Sequence, residues 1–294
     1  MSDRMAAWVA NMRAERYADA WALAAQTLAE RDPKTRDDPS LPYHLRWVWD
    51  GSPLDGRDVL VRCYHGLGDT IMFARFLPLL AARAASVTVE VQPPLVALIA
   101  MISPECTVVP FDVAHPLPPR QVDVEIMELS FALRSAPPAA PYLHVAPTEL
   151  QPGTVALCHG GGDWDAERWI PAPLFTPLCR HAPCLMMMPG PTSLGVLNPQ
   201  GCSFDIATSA ALIAGSSLVI TVDTMIAHLA GAMGRPTWLL LKCEPDWRWP
   251  AQGRSSAWYP SMRLYIQTHP GDWAAVLQTV EHDLIAHVEH AAAI

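Results

Sequence analysis

Two short stretches hold residues whose types and spacing suit chemistry on a hydroxyl and a phosphate. In CYHGLGDTIMFARFLP (63–78), Asp69 follows His65, Gly66, Leu67 and Gly68 and stands at the mouth of a predicted helix. A carboxylate there has two uses: it caps the helix by accepting backbone N–H groups, or it takes a proton from a hydroxyl. Pattern alone leaves both open. Gly66 and Gly68 permit positive φ and the close approach of another backbone or a ligand. A dinucleotide fingerprint would need glycine or alanine where Ile71 stands, and a phosphate loop would need Lys followed by Ser or Thr, so both motifs fail. What remains is a strand–turn–helix unit with an acid at the carboxyl edge of a sheet, where open α/β folds bind ligands.

The second stretch is LVITVDTMIAHLAGAM (218–233), in which a predicted strand runs straight into Asp223 and Thr224. The helix opening at Thr224 and Met225 offers free backbone N–H groups and a favourable dipole to a phosphate. Asp223 is the wrong charge for phosphate and suits a neighbouring sugar hydroxyl; capping is the plainer alternative. His228, one turn in, reads as a packed histidine or as a supporting group. A diphosphate also needs a cation. Arg168, in GGGDWDAERWIP (160–171), is the first candidate, an exposed surface arginine being the bland reading, and Lys242 is the weaker one. The tryptophans of DWRW (246–249) could stack on a base, although packing is the commoner role of such side chains.

The elements around these turns alternate. Met5, Trp8, Val9, Met12, Tyr17, Trp21, Ala24 and Leu28 recur at helical spacing and predict helix over 5–30. Strands are expected at 58–63, 86–91 and 107–109, with helices from about Asp69 and over 95–102. Prolines 137, 138, 141, 147 and 152 mark a linker. The pattern then restarts, with strands at 154–158, 184–188, 218–222 and 237–241. Helices are expected at 172–179, 207–214, 225–233 and 273–290. Strands alternating with helices predict parallel sheets in an α/β protein. The domains expected are a helical extension over 1–45, an α/β domain over 46–150 and a second over 151–294.

The 294 residues carry 29 acidic and 20 basic side chains, a net charge of −9, which argues against a nucleic-acid partner. Seven cysteines, an odd number without a CxxC pair, suggest a reducing compartment. The N-terminus lacks a signal-peptide core, and no apolar run approaches a membrane span. A cytoplasmic protein is expected, compatible with peripheral attachment at the inner membrane.

Together, GLGDTIMFARFLPLL, VTVEVQPPLVALI, LVITVDTMIAHLAGAMGRPTWLLL and PDWRW…WYPSMRLYIQ…GDW resemble glycosyltransferase family 9 over about residues 45–280. The likeness is to the bacterial branch often fused to tetratricopeptide repeats; the ADP-heptose heptosyltransferases of lipopolysaccharide synthesis are cousins. Residues 1–30 look like a repeat remnant. The resemblance implies a GT-B fold, two facing Rossmann-like domains with the nucleotide sugar held mainly by the C-terminal one. By position, Asp69 matches the family's proposed general base, Asp223 and Thr224 its donor-site pair, and Arg168 a basic residue thought to neutralise donor phosphate. The implied activity is inverting and metal-independent, with no cofactor beyond the nucleotide-sugar co-substrate. The implied acceptor is a glycan, of lipopolysaccharide type or another, or a protein. Two departures bear on the donor sugar: His159 to Asp163 replace a Trp-Ala-Gly-Asn type turn, and His65 replaces a usual Gln. The alternatives are a non-catalytic sugar-nucleotide-binding or scaffold protein and, more weakly, an epimerase of the same fold.

Overall fold

The computed structural model describes residues 2–138, 141–162, 164–203 and 205–292. The chain forms two compact units, Met1–Ala139 and Ala140–Ile294. Each is built on its own parallel sheet.

The first unit opens with α1 (Asp3–Arg13) and α2 (Tyr17–Glu30). The continuous helix expected over 5–30 is interrupted because Glu15 sits at φ 56°, in the left-handed region, which reverses the chain. The ion pair between Arg4 Nη2 and Glu30 Oε1, at 2.8 Å, then ties the far ends of the two helices together. The sheet has the order β3-β2-β1-β4, from β1 (Asp58–Arg62), β2 (Ser86–Val91), β3 (Thr107–Pro110) and β4 (Val122–Glu125). Val59 is in register with both Val87 and Val122, so β1 is central and covered on both faces, as parallel sheets are. Four short helices flank it: α3 (Leu67–Phe73), α4 (Leu77–Ala81), α5 (Val96–Ile102) and α6 (Leu129–Leu133).

The strand β4 was not expected, because VDVE alternates apolar side chains with acids. Both acids are buried and satisfied. Arg62 on β1 reaches Asp123 at 2.9 Å and Glu90 on β2 at 2.6 Å, with the three side chains 2%, 9% and 1% exposed. That triad pins three adjacent strands in register.

The second unit has the order β6-β5-β7-β8-β9. Its strands are β5 (Val155–Cys158), β6 (Cys184–Met186), β7 (Leu218–Val222), β8 (Thr237–Leu241) and β9 (Met262–Ile266). Three helices accompany them: α7 (Ile206–Gly215), α8 (Met225–Ala232) and α9 (Trp273–Ala292). The helix expected at 172–179 is instead two 3-10 turns, Ala172–Phe175 and Leu178–Arg180. Pro171, Pro173 and Pro177 account for this, since each lacks an N–H and restrains its predecessor. The α9 helix joins the core through Trp273, Leu277, Val280 and Leu284, which pack with Trp238, Leu240 and Tyr265. Part of the proline-rich stretch belongs to this unit by hydrogen bonding: Tyr142 N and Leu143 N donate to Ala232 O at 2.9 and 3.1 Å. Among the described residues no helix is long and apolar enough to cross a membrane.

Candidate functional site

In the second unit the carboxyl ends of β5, β7 and β8 meet around one small cavity. Beyond β5 the chain passes through Gly160–Gly162 to a 3-10 turn at Ala166–Arg168, capped by Asp165, whose Oδ1 accepts from Glu167 N at 3.1 Å. The Arg168 side chain is buried, 7% exposed, and folds back over its own loop. Its Nη1 donates to the Asp223 carbonyl at 2.6 Å and its Nη2 to the Gly162 carbonyl at 3.2 Å. A planar, permanently charged fork is the side chain that can brace two carbonyls in this way. The Trp164 ring lies 4.1 Å from the guanidinium and is itself 71% exposed.

Thr224 caps α8 by accepting from Ile226 N at 3.3 Å. Gly161 lets it sit there: a Cβ at that position would lie 2.6 Å from the Thr224 methyl. Gly160 is similarly required, since its Cβ would meet the Trp169 ring at 2.5 Å. The glycine run is thus shaped by close packing against α8 and Trp169. Asp163 lies outside the described residues.

The Asp223 side chain is 13% exposed, and its carboxyl is pushed up to about 6, chiefly by burial. Trp249, Arg248 and Arg168 oppose that rise, whereas Asp246 adds to it. Behind Asp223 stands His228, with Nε2 3.8 Å from its Oδ1. His228 Nδ1 is 3.0 Å from the Tyr259 hydroxyl, and its ring stacks on Trp249 at 5.8 Å. Lys242, just past β8, pairs with Asp165 and Glu167, each at 2.9 Å. The cavity, about 130 Å³, is lined by Trp164, Asp165, Arg168, Asp223, Lys242 and Asp246, among others.

In the first unit the glycine turn joins β1 to α3. Gly66 is the N-cap of α3, and its N–H donates to Asp69 Oδ2 at 2.9 Å. The capping role weighed for Asp69 is therefore present; one oxygen is engaged by the turn. Gly68 is the second residue of α3, and both it and Asp69 are half-buried. His65 Nδ1 lies 3.0 Å from Glu125 Oε1 at the end of β4.

Of the residues singled out by sequence, Arg168, Asp223, Thr224 and Lys242 come together, with Met225 as the half-buried first residue of α8. His228 is buried behind them, 4% exposed. Asp69, His65, Gly66 and Gly68 form the group in the first unit. Trp249 is fully buried, which fits packing rather than base stacking. The sequence reading missed Tyr259, 31 residues from its partner His228. It also missed Asp165 and Glu167 as partners of Lys242, and Glu125. None of these pairings has a local spacing signal. Among the described residues no group of three or more His, Cys, Asp and Glu side chains converges as a metal site.

No family model and no curated protein matches the chain. Solved structures do resemble it. The Escherichia coli ADP-heptose LPS heptosyltransferase II superposes with a TM-score of 0.56 at 16% identity, over 80% of this chain and 99% of that one. A glycosyl transferase family 9 protein from Veillonella parvula DSM 2008 gives 0.55 at 12% identity, over 80% and 99%. The dodecameric iron-containing heptosyltransferase TibC, from enterotoxigenic E. coli, was solved in complex with ADP-D-beta-D-heptose. That complex gives 0.56 at 14% identity, over 81% of this chain and 78% of that one. At these identities the likeness establishes the fold: the α/β, two-sheet architecture of GT-B heptosyltransferases is present here.

Proposed function

We propose that the protein is a glycosyltransferase that moves a sugar from a nucleotide-diphosphate sugar to a hydroxyl of a glycan or protein, with inversion and without a metal. The observation that carries this reading is the convergence of Arg168, Asp223 and Lys242 on one cavity beside the Thr224-capped start of α8. Arg168 and the first N–H groups of α8 stabilise the departing diphosphate, an electrostatic contribution made where negative charge develops. Asp223, its charge weakened by burial, accepts or donates to a sugar hydroxyl. Asp69, at the start of α3 and half-buried, is the general base that takes the acceptor's proton. ADP-heptose is the first donor to test, because the structural neighbours are heptosyltransferases and one was solved with that molecule.

The second reading, a non-catalytic sugar-nucleotide-binding protein, draws on one observation. Lys242 is neutralised by two carboxylates, and three Arg168 donors are committed to backbone carbonyls. Release of nucleoside diphosphate from ADP-, GDP- and UDP-sugars by the purified chain, with a lipopolysaccharide-type glycan as acceptor, separates the two. Acceptor-dependent release that falls roughly 10²-fold in Asp69→Asn supports the transferase. Donor binding without any release supports the second reading.

A further inference from the structure

The second unit holds a larger cavity, about 640 Å³, that the proposed mechanism does not use. It lies at the carboxyl ends of β8 and β9, with Val276 and Thr279 of α9 also in its wall. Its size falls within the roughly 300–1,000 Å³ of small-molecule sites. The segment after β8 borders both cavities: Lys242 and Glu244 line the smaller one and Cys243 the larger.

Gln267 is the residue that calls for a ligand. It directly follows β9, and its backbone N–H donates to Leu241 O at 2.9 Å. It lines the cavity and is 4% exposed, and its Nε2 is buried with no hydrogen-bond partner. A buried donor without a partner is costly and rare, so an amide of this kind in a cavity wall points to a group that completes it. A half-turn of the amide exchanges Nε2 and Oε1, which lets it offer a ligand either a donor or an acceptor.

The rest of the wall narrows the class of ligand. Leu264, Ile266 and Val276 supply apolar surface, whereas Gln252, Thr268 and Thr279 supply uncharged polar groups. Thr279 Oγ1 donates to Ala275 O at 3.1 Å, and its oxygen can still accept. Among the described lining residues Arg254 alone is charged. Its side chain is 58% exposed and lies 3.6 Å from Asp283, so no buried charge asks for an anion or a cation. Tyr265, the aromatic residue of the wall, is already engaged: its hydroxyl donates to Asp283 at 2.9 Å and its ring packs on Trp238 at 5.5 Å. A nucleobase would find no free ring face there to stack on. A lipid chain would leave the amide unsatisfied. A pyranose matches the wall, with hydroxyls at its rim and C–H groups on its face.

We propose that this cavity binds a neutral saccharide, with Gln267 hydrogen-bonding a sugar hydroxyl and Leu264, Ile266 and Val276 meeting the C–H face. The site is separate from the Arg168–Asp223 cavity and goes beyond the transferase reading. In a transferase it holds a glycan unit other than the one transferred.

The test uses the full chain and the methyl glycosides of glucose, galactose, mannose and N-acetylglucosamine, with adenosine and inorganic phosphate as controls. Calorimetry reads binding. The rate at which iodoacetamide alkylates Cys243, the half-buried thiol of the wall, reads its place, with Cys106 as internal reference. At least one glycoside should bind wild type in about the millimolar range and slow alkylation of Cys243 but not of Cys106. Gln267→Leu, close in volume and apolar, should weaken that binding at least about 10-fold. Its unfolding midpoint should stay at or above that of wild type, because a partnerless donor has been removed. Thr279→Phe, which adds a ring from an exposed position on α9, should block binding and protection as well. A Gln267→Leu protein clearly less stable than wild type would show the amide already partnered and overturn the argument. Absence of glycoside binding, unaltered binding in both variants, or protection of Cys243 by adenosine or phosphate instead would also overturn it. Any of these failures alongside nucleotide binding that depends on Arg168 leaves the transferase reading standing.

Discussion

Arg168 donates through Nη1 to the backbone carbonyl of Asp223 at 2.6 Å. The contact spans 55 residues of sequence and joins the loop after β5 to the turn between β7 and α8. Its partner is a main-chain atom, so the link holds whatever the charge on the Asp223 carboxyl. The arginine thereby does two things: it fixes the loop's geometry and keeps a buried positive charge beside the helix start.

Gly161→Ala tests whether the glycine run serves that geometry. The new Cβ would stand 2.6 Å from the Thr224 methyl. We expect a loss of about 1–3 kcal/mol in unfolding free energy, the usual range for overpacking. Adding Thr224→Ser, which removes the methyl and keeps the capping oxygen, should restore most of it. A Gly161→Ala protein as stable as wild type in urea would refute the packing argument.

The buried triad of the first unit gives a larger stability effect. Arg62→Ala strands Glu90 and Asp123, both nearly inaccessible, without their counter-charge. The expected cost is about 3–5 kcal/mol. Arg62→Met, tested together with Glu90→Gln and Asp123→Asn, should cost less than Arg62→Ala alone. Chemical denaturation of the two variants is the check.

Burial and the neighbouring Glu125 push the Glu128 carboxyl up to about 7. The folded state therefore holds this proton more tightly than the unfolded chain, whose glutamate titrates near its ordinary value of 4.5. Between those values the folded chain binds more protons, so stability falls as pH rises from about 4.5 to 7. Glu128→Gln, which keeps an acceptor for Trp49 N and Glu125 N, should match wild type near pH 4.5. It should exceed wild type by about 2–3 kcal/mol above pH 8. Melting temperatures across that range decide it; a difference independent of pH would contradict the account.

Much of this arrangement can be read from sequence, for a physical reason. A parallel strand buried on both faces is a run such as DVLVR or LVITV, and the acid and hydroxyl that follow mark the carboxyl edge. Asp223 and Thr224 were therefore visible together. Arg168 was visible through its charge beside a glycine run, but not the direction of its fork, because carbonyl acceptors leave no trace in side-chain pattern. The β4 strand was hidden because Asp123 and Glu125 are acids in a core, tolerated through Arg62 and the N–H groups of Arg120, Tyr64 and Met127. The 172–179 segment misled for the opposite reason: its apolar spacing fits a helix, and its prolines break it into 3-10 turns.

The most direct test of the central claim is calorimetric titration of ADP, GDP and UDP into wild type and Arg168→Ala, without divalent metal. The account predicts that one nucleotide binds in the micromolar range and that the variant loses at least about 10-fold in affinity, equivalent to about 1.4 kcal/mol. Absence of binding by all three nucleotides, or an affinity unchanged in Arg168→Ala, would contradict it.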